Sequence, residues 1–206
     1  MNGKLITLEG VEGTGKSTQI AKLADYLHSK GIDTYTTQEP GGTRLGEEIR
    51  RWLLESEHPT SEITELLLFY AARTEHIVQK IKPKLQRGCW VICDRYVDSS
   101  YAYQGGGCDI QLDYIAQLNR MAVSVMPDLT ILLDMDPKYI WQRLNIATLD
   151  RFERENEAFF TRVRQAYLQC AKNNSARIKV VNAEQSIAQV TQAIIEQLEP
   201  LVGRHN

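Results

Sequence analysis

Short apolar runs alternate with longer stretches of helical periodicity along the 206 residues. Lys4–Glu9 (KLITLE) reads as a buried strand, and Asp33–Gln38, Cys89–Cys93 (CWVIC), Leu129–Leu133 (LTILL) and Ile178–Val181 read as four more strands. Lys16–Lys30 predicts a helix, with Gly31 as its stop. Leu45–Glu55 and Ser61–Gln86 predict two more, the second capped by Thr60 and stopped at Gly88. Pro83 lies inside that second helix, which should end early or kink there. Asp109 is placed to cap a helix over Ile110–Val125. A short helix from Pro137, a longer one from about Glu153 to Lys172 and an amphipathic one over Ile187–Leu198 complete the pattern. Five short strands separated by helices predict a three-layer α/β fold in a single domain, with a parallel sheet covered on both faces. In such sheets ligands bind beyond the carboxyl ends of the strands.

Composition narrows the partners. Hydrophobic content of 43% and charged content of 24% suit one globular core. A formal net charge of -2 argues against a general nucleic-acid or membrane-surface binder, so anions must be held by locally placed arginines. The four cysteines (Cys89, Cys93, Cys108, Cys170) form no CxxC pair and show no zinc spacing. They read as reduced thiols of a cytoplasmic protein. Met1–Glu9 is too short and too polar for a signal peptide, and no run of about 18 apolar residues is available to span a membrane.

The strongest chemical signal is Gly10-Val11-Glu12-Gly13-Thr14-Gly15-Lys16-Ser17, followed by Thr18. It fits G-x-x-x-x-G-K-[ST] between a strand and a helix, the setting a P-loop requires. Glycines let backbone amides converge on phosphate oxygens, and the helix N-terminus adds unpaired N–H groups. Lys16 is expected to reach the β- and γ-phosphates of ATP, and Ser17 to offer its hydroxyl to Mg²⁺. The fold expectation is therefore of the P-loop NTPase type. Asp94 and Asp134 each end an apolar strand, and either can orient Mg²⁺ through water. Asp94 is favoured, because Arg95 beside it can hold an acceptor phosphate. Asp134 is expected to help cap the short helix from Pro137.

Three further segments read as chemical. Glu39-Pro-Gly-Gly-Thr43 has two glycines suited to close approach of backbone to a ligand. In Leu67–Arg73, Phe69 and Arg73 are four apart and share a helical face. Phe69 can stack on a base while Arg73 bonds its edge. Asp94–Gly107 (DRYVDSSYAYQGGG) reads as a long loop dense in side-chain donors.

Taken together, GVEGTGKST, EPGGT, LLFYAAR, CDRYVDSSYAYQGGG and the LDR at Arg151 resemble the bacterial type of thymidylate kinase from Lys4 to about Leu198. The resemblance implies transfer of the γ-phosphoryl of MgATP to dTMP, giving dTDP and ADP on the way to dTTP. It also implies roles. Phe69 stacks on thymine, while Arg73, Gln104 and Ser100 read its polar edge. Tyr103 lies near the sugar and disfavours a 2′-hydroxyl. Arg95 and Arg50 hold the monophosphate. Glu12 faces the acceptor, and the charge-stabilising arginine comes from a small lid at about residues 144–154. A homodimer is implied as well, with the apolar face of the Ser61–Gln86 or the Ile110–Val125 helix as candidate interface, stripes that could equally be core.

Two departures stand out. Gln38 occupies a position where many relatives carry an arginine on the acceptor phosphate, and an amide cannot replace a charged, bidentate contact. The lid stretch Leu144–Asp150 is almost without charge, flanked by Arg143 and Arg151. Arg151 is assigned to the transferring phosphoryl group and Arg143 to the ATP phosphates. Catalysis is expected from Lys16, Asp94, Arg95 and Arg151. Three alternatives remain: a kinase for another pyrimidine monophosphate such as dUMP, a P-loop switch or hydrolase, and a catalytically impaired binding module. The chain lacks the Asn-Lys-x-Asp segment that reads guanine in switches.

Overall fold

The computed structural model describes residues 3–55, 60–143, 151–152 and 155–203. Five strands form one parallel sheet: β1 (Leu5–Glu9), β2 (Thr34–Gln38), β3 (Trp90–Asp94), β4 (Leu129–Asp134) and β5 (Ile178–Asn182). Their order is β2-β3-β1-β4-β5. β1 is therefore central, and all five of its residues are buried. Among the described residues no helix is long and apolar enough to cross a membrane.

Alternate residues of the strands feed opposite faces. Ile6, Leu8 and Ile131 join the larger core, with Leu23 and Leu27 of α1 (Lys16–Ser29), Phe160 of α8 (Glu157–Asn173), and Ile194 and Leu198 of α9 (Ile187–Val202). Leu5, Val91 and Cys93 face the other way, against Ile77, Ile81 and Tyr96. In α9 the buried positions Val190, Ile194, Leu198 and Val202 recur every four residues, and Ser186 with Gln189 closes its start as a capping box.

Several boundaries differ from expectation, each for a local reason. Ser61, not Thr60, caps α3 (Glu62–His76): its hydroxyl accepts the Thr64 N–H. α3 then runs through a π turn at Ile77–Ile81 into α4 (Lys82–Gln86). Pro83 has no N–H, and in a regular helix its ring would crowd the carbonyl four residues earlier. The wider π turn absorbs that conflict, so the run neither stops nor breaks. Asp109 adopts φ 59° and does not cap; α6 (Leu112–Ala122) starts after Gln111. Asn156 caps α8 by accepting the Phe159 N–H, three residues inside the expected start.

The segment expected as a loop after β3 is helical. A short α5 (Val97–Ser99) continues into a π helix over Ser100–Gly107. Its glycines lie against α6 and α8. A Cβ on Gly106 would stand 2.5 Å from the Ala166 Cβ and 3.0 Å from the Arg162 carbonyl. Close packing explains these glycines, and the donors of the segment are thereby carried on a fixed element. Among the described residues the remaining helices are α2 (Arg44–Glu55) and α7 (Ile140–Arg143), the latter preceded by a 3₁₀ turn at Pro137–Tyr139. Asp136, not Asp134, caps that turn by accepting the Lys138 N–H.

Candidate active site

The carboxyl ends of β1 and β3 open onto a cleft with two parts. One lies over the loop between β1 and α1. That loop turns through Gly10, Gly13 and Gly15, all at positive φ. Lys16 Nζ curls back to donate to the Gly10 and Val11 carbonyls at 3.2 and 3.1 Å. Burial, and then the charge of Arg95, lowers the Lys16 pKa. Gly13, Gly15, Ser17 and Thr18 line this part. The Val11 and Thr14 side chains are buried, with Thr14 Oγ1 donating to the Val11 carbonyl at 2.8 Å, so what they offer the cleft is backbone.

Asp94 ends β3 in the same part of the cleft, and its Oδ1 is buried without a hydrogen-bond partner. A buried carboxylate oxygen left unpaired is costly. With the Ser17 hydroxyl on the same wall, this is a donor set that suits a hard, hydrated cation. Asp134 is engaged elsewhere: Arg164 donates to both its oxygens at 2.7 and 2.9 Å.

The second part is narrower and lined by Phe69, Arg73, Ser100, Tyr103, Gln104 and Phe152 among others. Phe69 and Phe152 face each other with centroids 6.1 Å apart at 52°. Arg73 is only 2% exposed. It donates from Nε to Glu39 at 2.6 Å, from Nη1 to the Ser100 hydroxyl at 3.0 Å and from Nη2 to the Tyr96 carbonyl at 2.9 Å. Burial opposes its charge, but Glu39 outweighs burial and holds the guanidinium above the usual arginine range.

Glu12, Glu39, Arg50 and Arg95 border both parts. Arg95 sits at φ 64°, unusual for a residue with a side chain. It donates to Glu12 at 2.6 Å, to the Gly10 carbonyl at 3.0 Å, and to the Tyr103 and Tyr167 hydroxyls, both at 3.1 Å. Tyr103 donates to Glu12 at 2.6 Å. Arg50 Nη1 donates to the Pro40 carbonyl at 2.9 Å. Gln38 lines the phosphate part.

Beneath this wall lies Glu9, which the sequence reading passed over as the end of a strand. It accepts from the Tyr96 N–H at 2.7 Å, the Ser99 hydroxyl at 2.6 Å and the Tyr167 hydroxyl at 2.9 Å. Burial, and then the charge of Asp98, pushes its pKa up to about 7. A carboxylate closing a fully buried, mostly apolar strand directly before a P-loop was the available signal. Phe152 was also missed; its neighbour Arg151 drew attention through charge.

The flanking arginines separate. Arg143 Nη1 points at the cradle, 3.4 Å from the Gly13 carbonyl and 3.2 Å from the Ala183 carbonyl. Arg151 is not brought there. It grips both oxygens of Glu65 on α3 and lies over the Phe152 ring, 4.9 Å from its centroid. Glu65 is buried and needs a cation, which accounts for the placement. Residues 144–150 and 153–154 of the expected lid lie outside the described residues. The two glycines of EPGGT serve protein contacts: the Gly42 N–H donates to Glu47 at 2.8 Å, and a Cβ on Gly41 would stand 2.7 Å from the same carboxylate.

A P-loop at the carboxyl edge of a 2-3-1-4-5 parallel sheet, opening onto a second arginine-lined pocket, defines a P-loop phosphoryl-transfer protein. Its similarity to known proteins specifies which. The family model described as thymidylate kinase matches residues 8–194. The thymidylate kinase of Nitrosomonas eutropha is 47% identical over 201 residues, covering 96% of this chain and 93% of that protein. That of Bordetella petrii is 48% identical, covering 97% and 96%. The crystal structure of thymidylate kinase from Ehrlichia chaffeensis superposes with a TM-score of 0.80 at 36% identity, covering 97% of this chain and 99% of that one. The chain belongs to the thymidylate kinase family.

Proposed function

We propose that this protein transfers the γ-phosphoryl of ATP to dTMP, giving dTDP and ADP. The observation that carries this reading is the shared wall: the phosphate cradle and the Phe69–Arg73 pocket meet at Glu12, Arg50 and Arg95. Two substrates bound in those parts have their phosphates side by side, and alignment with charge neutralisation is most of what such a transfer needs.

In the acceptor pocket, Phe69 stacks on thymine, and Arg73, Ser100 and Gln104 bond its polar edge. Arg73 keeps N–H groups for this, since among the described residues three of its five are engaged. Tyr103 borders the sugar. Arg95 and Arg50 take the monophosphate, and Glu12 fixes Arg95 beside it. In the donor part the backbone of Gly10–Thr18 cradles the phosphates and Lys16 leaves its two carbonyls for the β- and γ-oxygens. Ser17 and Asp94 would hold Mg²⁺, which supplies charge neutralisation on those oxygens. Arg143 is the flanking arginine we assign to the transferring group, supported by its place over Gly13. The acceptor phosphate is already anionic, so no strong base is needed.

An ADP-release assay across dTMP, dUMP and purine monophosphates tests the reading. Turnover with dTMP far above the others supports it. Preference for dUMP would move the substrate, and hydrolysis of ATP without an acceptor would favour a hydrolase.

The protein acts as a homodimer through α3 and α6 in this reading. Leu67 (51% exposed), Tyr114 (49%) and Met121 (79%) form one apolar groove with Ile63. Leu67→Glu should yield a monomer by light scattering if this face is the interface. All four cysteines are free thiols, which supports a cytoplasmic setting.

A further inference from the structure

We infer that His76 is a positioning residue for base recognition, acting on Arg73 through Glu39; this deepens the reading of the Phe69–Arg73 pocket as the thymine site and rests on it. His76 is fully buried and does not itself line either part of the cleft. Its Nδ1 lies 3.0 Å from Glu39 Oε1. The other Glu39 oxygen, Oε2, takes Arg73 Nε at 2.6 Å. A carboxylate only accepts, so Nδ1 carries the proton in this contact. The far ring nitrogen, Nε2, meets the Thr37 hydroxyl at 2.7 Å.

The chain of contacts therefore runs Thr37, His76, Glu39, Arg73, Ser100. The three middle members, His76, Glu39 and Arg73, are each held on both sides. Arg73 and His76 leave one helix three residues apart, and the Glu39 carboxylate enters between them from the end of β2. Arg73 reads a base edge only if its guanidinium plane is fixed. Glu39 fixes one edge of that plane, and His76 keeps the Glu39 carboxylate from rotating. A group bonded on one oxygen alone can turn about its terminal torsion; one bonded on both cannot.

Gly42 shows that the backbone is shaped for the imidazole. It adopts φ 74°, and a Cβ there would stand 2.5 Å from His76 Nε2 and 2.9 Å from Thr37 Oγ1. The second glycine of EPGGT thus makes room for the ring. Glu39, His76 and Cys93 also bring one potential metal-ligand atom each within 4.8 Å of one another. Each of those atoms is already engaged: Glu39 and His76 with one another, Cys93 Sγ with the Arg95 carbonyl at 3.1 Å. The hydrogen-bond chain accounts for the cluster.

Steady-state kinetics on the full chain test this. His76→Asn keeps an N–H donor near the place of Nδ1, whereas His76→Gln keeps a polar group only near Nε2. The expected result is a KM for dTMP raised about tenfold or more in His76→Gln. In His76→Asn it should stay within about threefold of wild type, with kcat and the KM for ATP within about twofold in both. Thr37→Val should raise the dTMP KM about two- to fivefold by loosening the ring. A purely structural histidine predicts instead that Asn and Gln act alike, or that both substrates suffer equally, and either result overturns the inference. Wild-type turnover of dTMP, measured in the same assay, separates the two levels. Its absence overturns the thymine-site reading and this inference together, whereas normal turnover with an unmoved KM in His76→Gln overturns the inference alone.

Discussion

Arg95 Nη2 lies 2.6 Å from Glu12 Oε1, joining the residue after β3 to the middle of the P-loop. The pair closes the wall between the two parts of the cleft. Burial opposes the Arg95 charge, and Tyr103 and then Glu12 outweigh it, so the guanidinium stays charged well above the usual arginine range. Arg95 is thus fixed in place and charged, and the carboxylate that holds it belongs to the P-loop.

Lys16→Ala is expected to lower kcat by about 10²–10³-fold, the scale for removing one preorganised charge from a transition state. The fold should survive, since among the described residues Lys16 Nζ donates to two loop carbonyls and to no other element. Turnover and far-ultraviolet circular dichroism check the two halves of this statement.

The flanking arginines should respond differently. Arg143→Ala is expected to lower kcat about tenfold or more with little change in thermal midpoint. Arg151→Ala removes the partner of the buried Glu65 and should lower stability by about 1 kcal/mol, discounted because Arg151 is 37% exposed. Kinetics and thermal melts of both variants decide it. A large kcat loss in Arg151→Ala with an unchanged melt would return the phosphoryl contact to Arg151.

Glu9 makes stability pH-dependent. Its folded pKa is raised from 4.5 to about 7, first by burial. Between those values the folded state keeps a proton that the unfolded chain has lost. Its contribution is therefore fully present below pH 4.5 and declines as pH rises through 7. The stability of wild type relative to Glu9→Gln should fall between pH 5 and 8 in denaturant melts. A difference independent of pH, or rising, would contradict it.

Gly106→Ala should cost about 1–3 kcal/mol through overpacking. The new methyl meets the Ala166 Cβ at 2.5 Å, and backbone at Arg162 limits retreat. Calorimetry measures it, and Gly106→Ala/Ala166→Gly should recover part of the loss.

The sheet and the phosphate loop were legible because both are local: short runs of apolar or β-branched residues, and glycines at fixed offsets before Lys16. Glycine itself is ambiguous. Gly105–Gly107 read as a loop end, yet they mark a close approach to helices, because the same missing Cβ serves both ends. Pro83 correctly flagged a conflict, but nothing in the pattern says that a π turn will absorb it. Asp134 looked like a cap because its partner, Arg164, is 30 residues away. Phe69 and Arg73 were found through their shared helical face. Glu9, His76 and Tyr167 were not, because their roles exist only once separate elements meet.

The wall shared by the two pockets has a thermodynamic consequence. Arg95 is bonded to Gly10 and Glu12 of the donor loop and to Tyr103 of the acceptor pocket. An anion that draws Arg95 away must release Glu12, and a loop that moves must release Arg95. The affinities for the two substrates are therefore linked quantities. Whatever factor bound ATP imposes on the dissociation constant of dTMP, bound dTMP must impose on that of ATP, by the closure of the binding cycle.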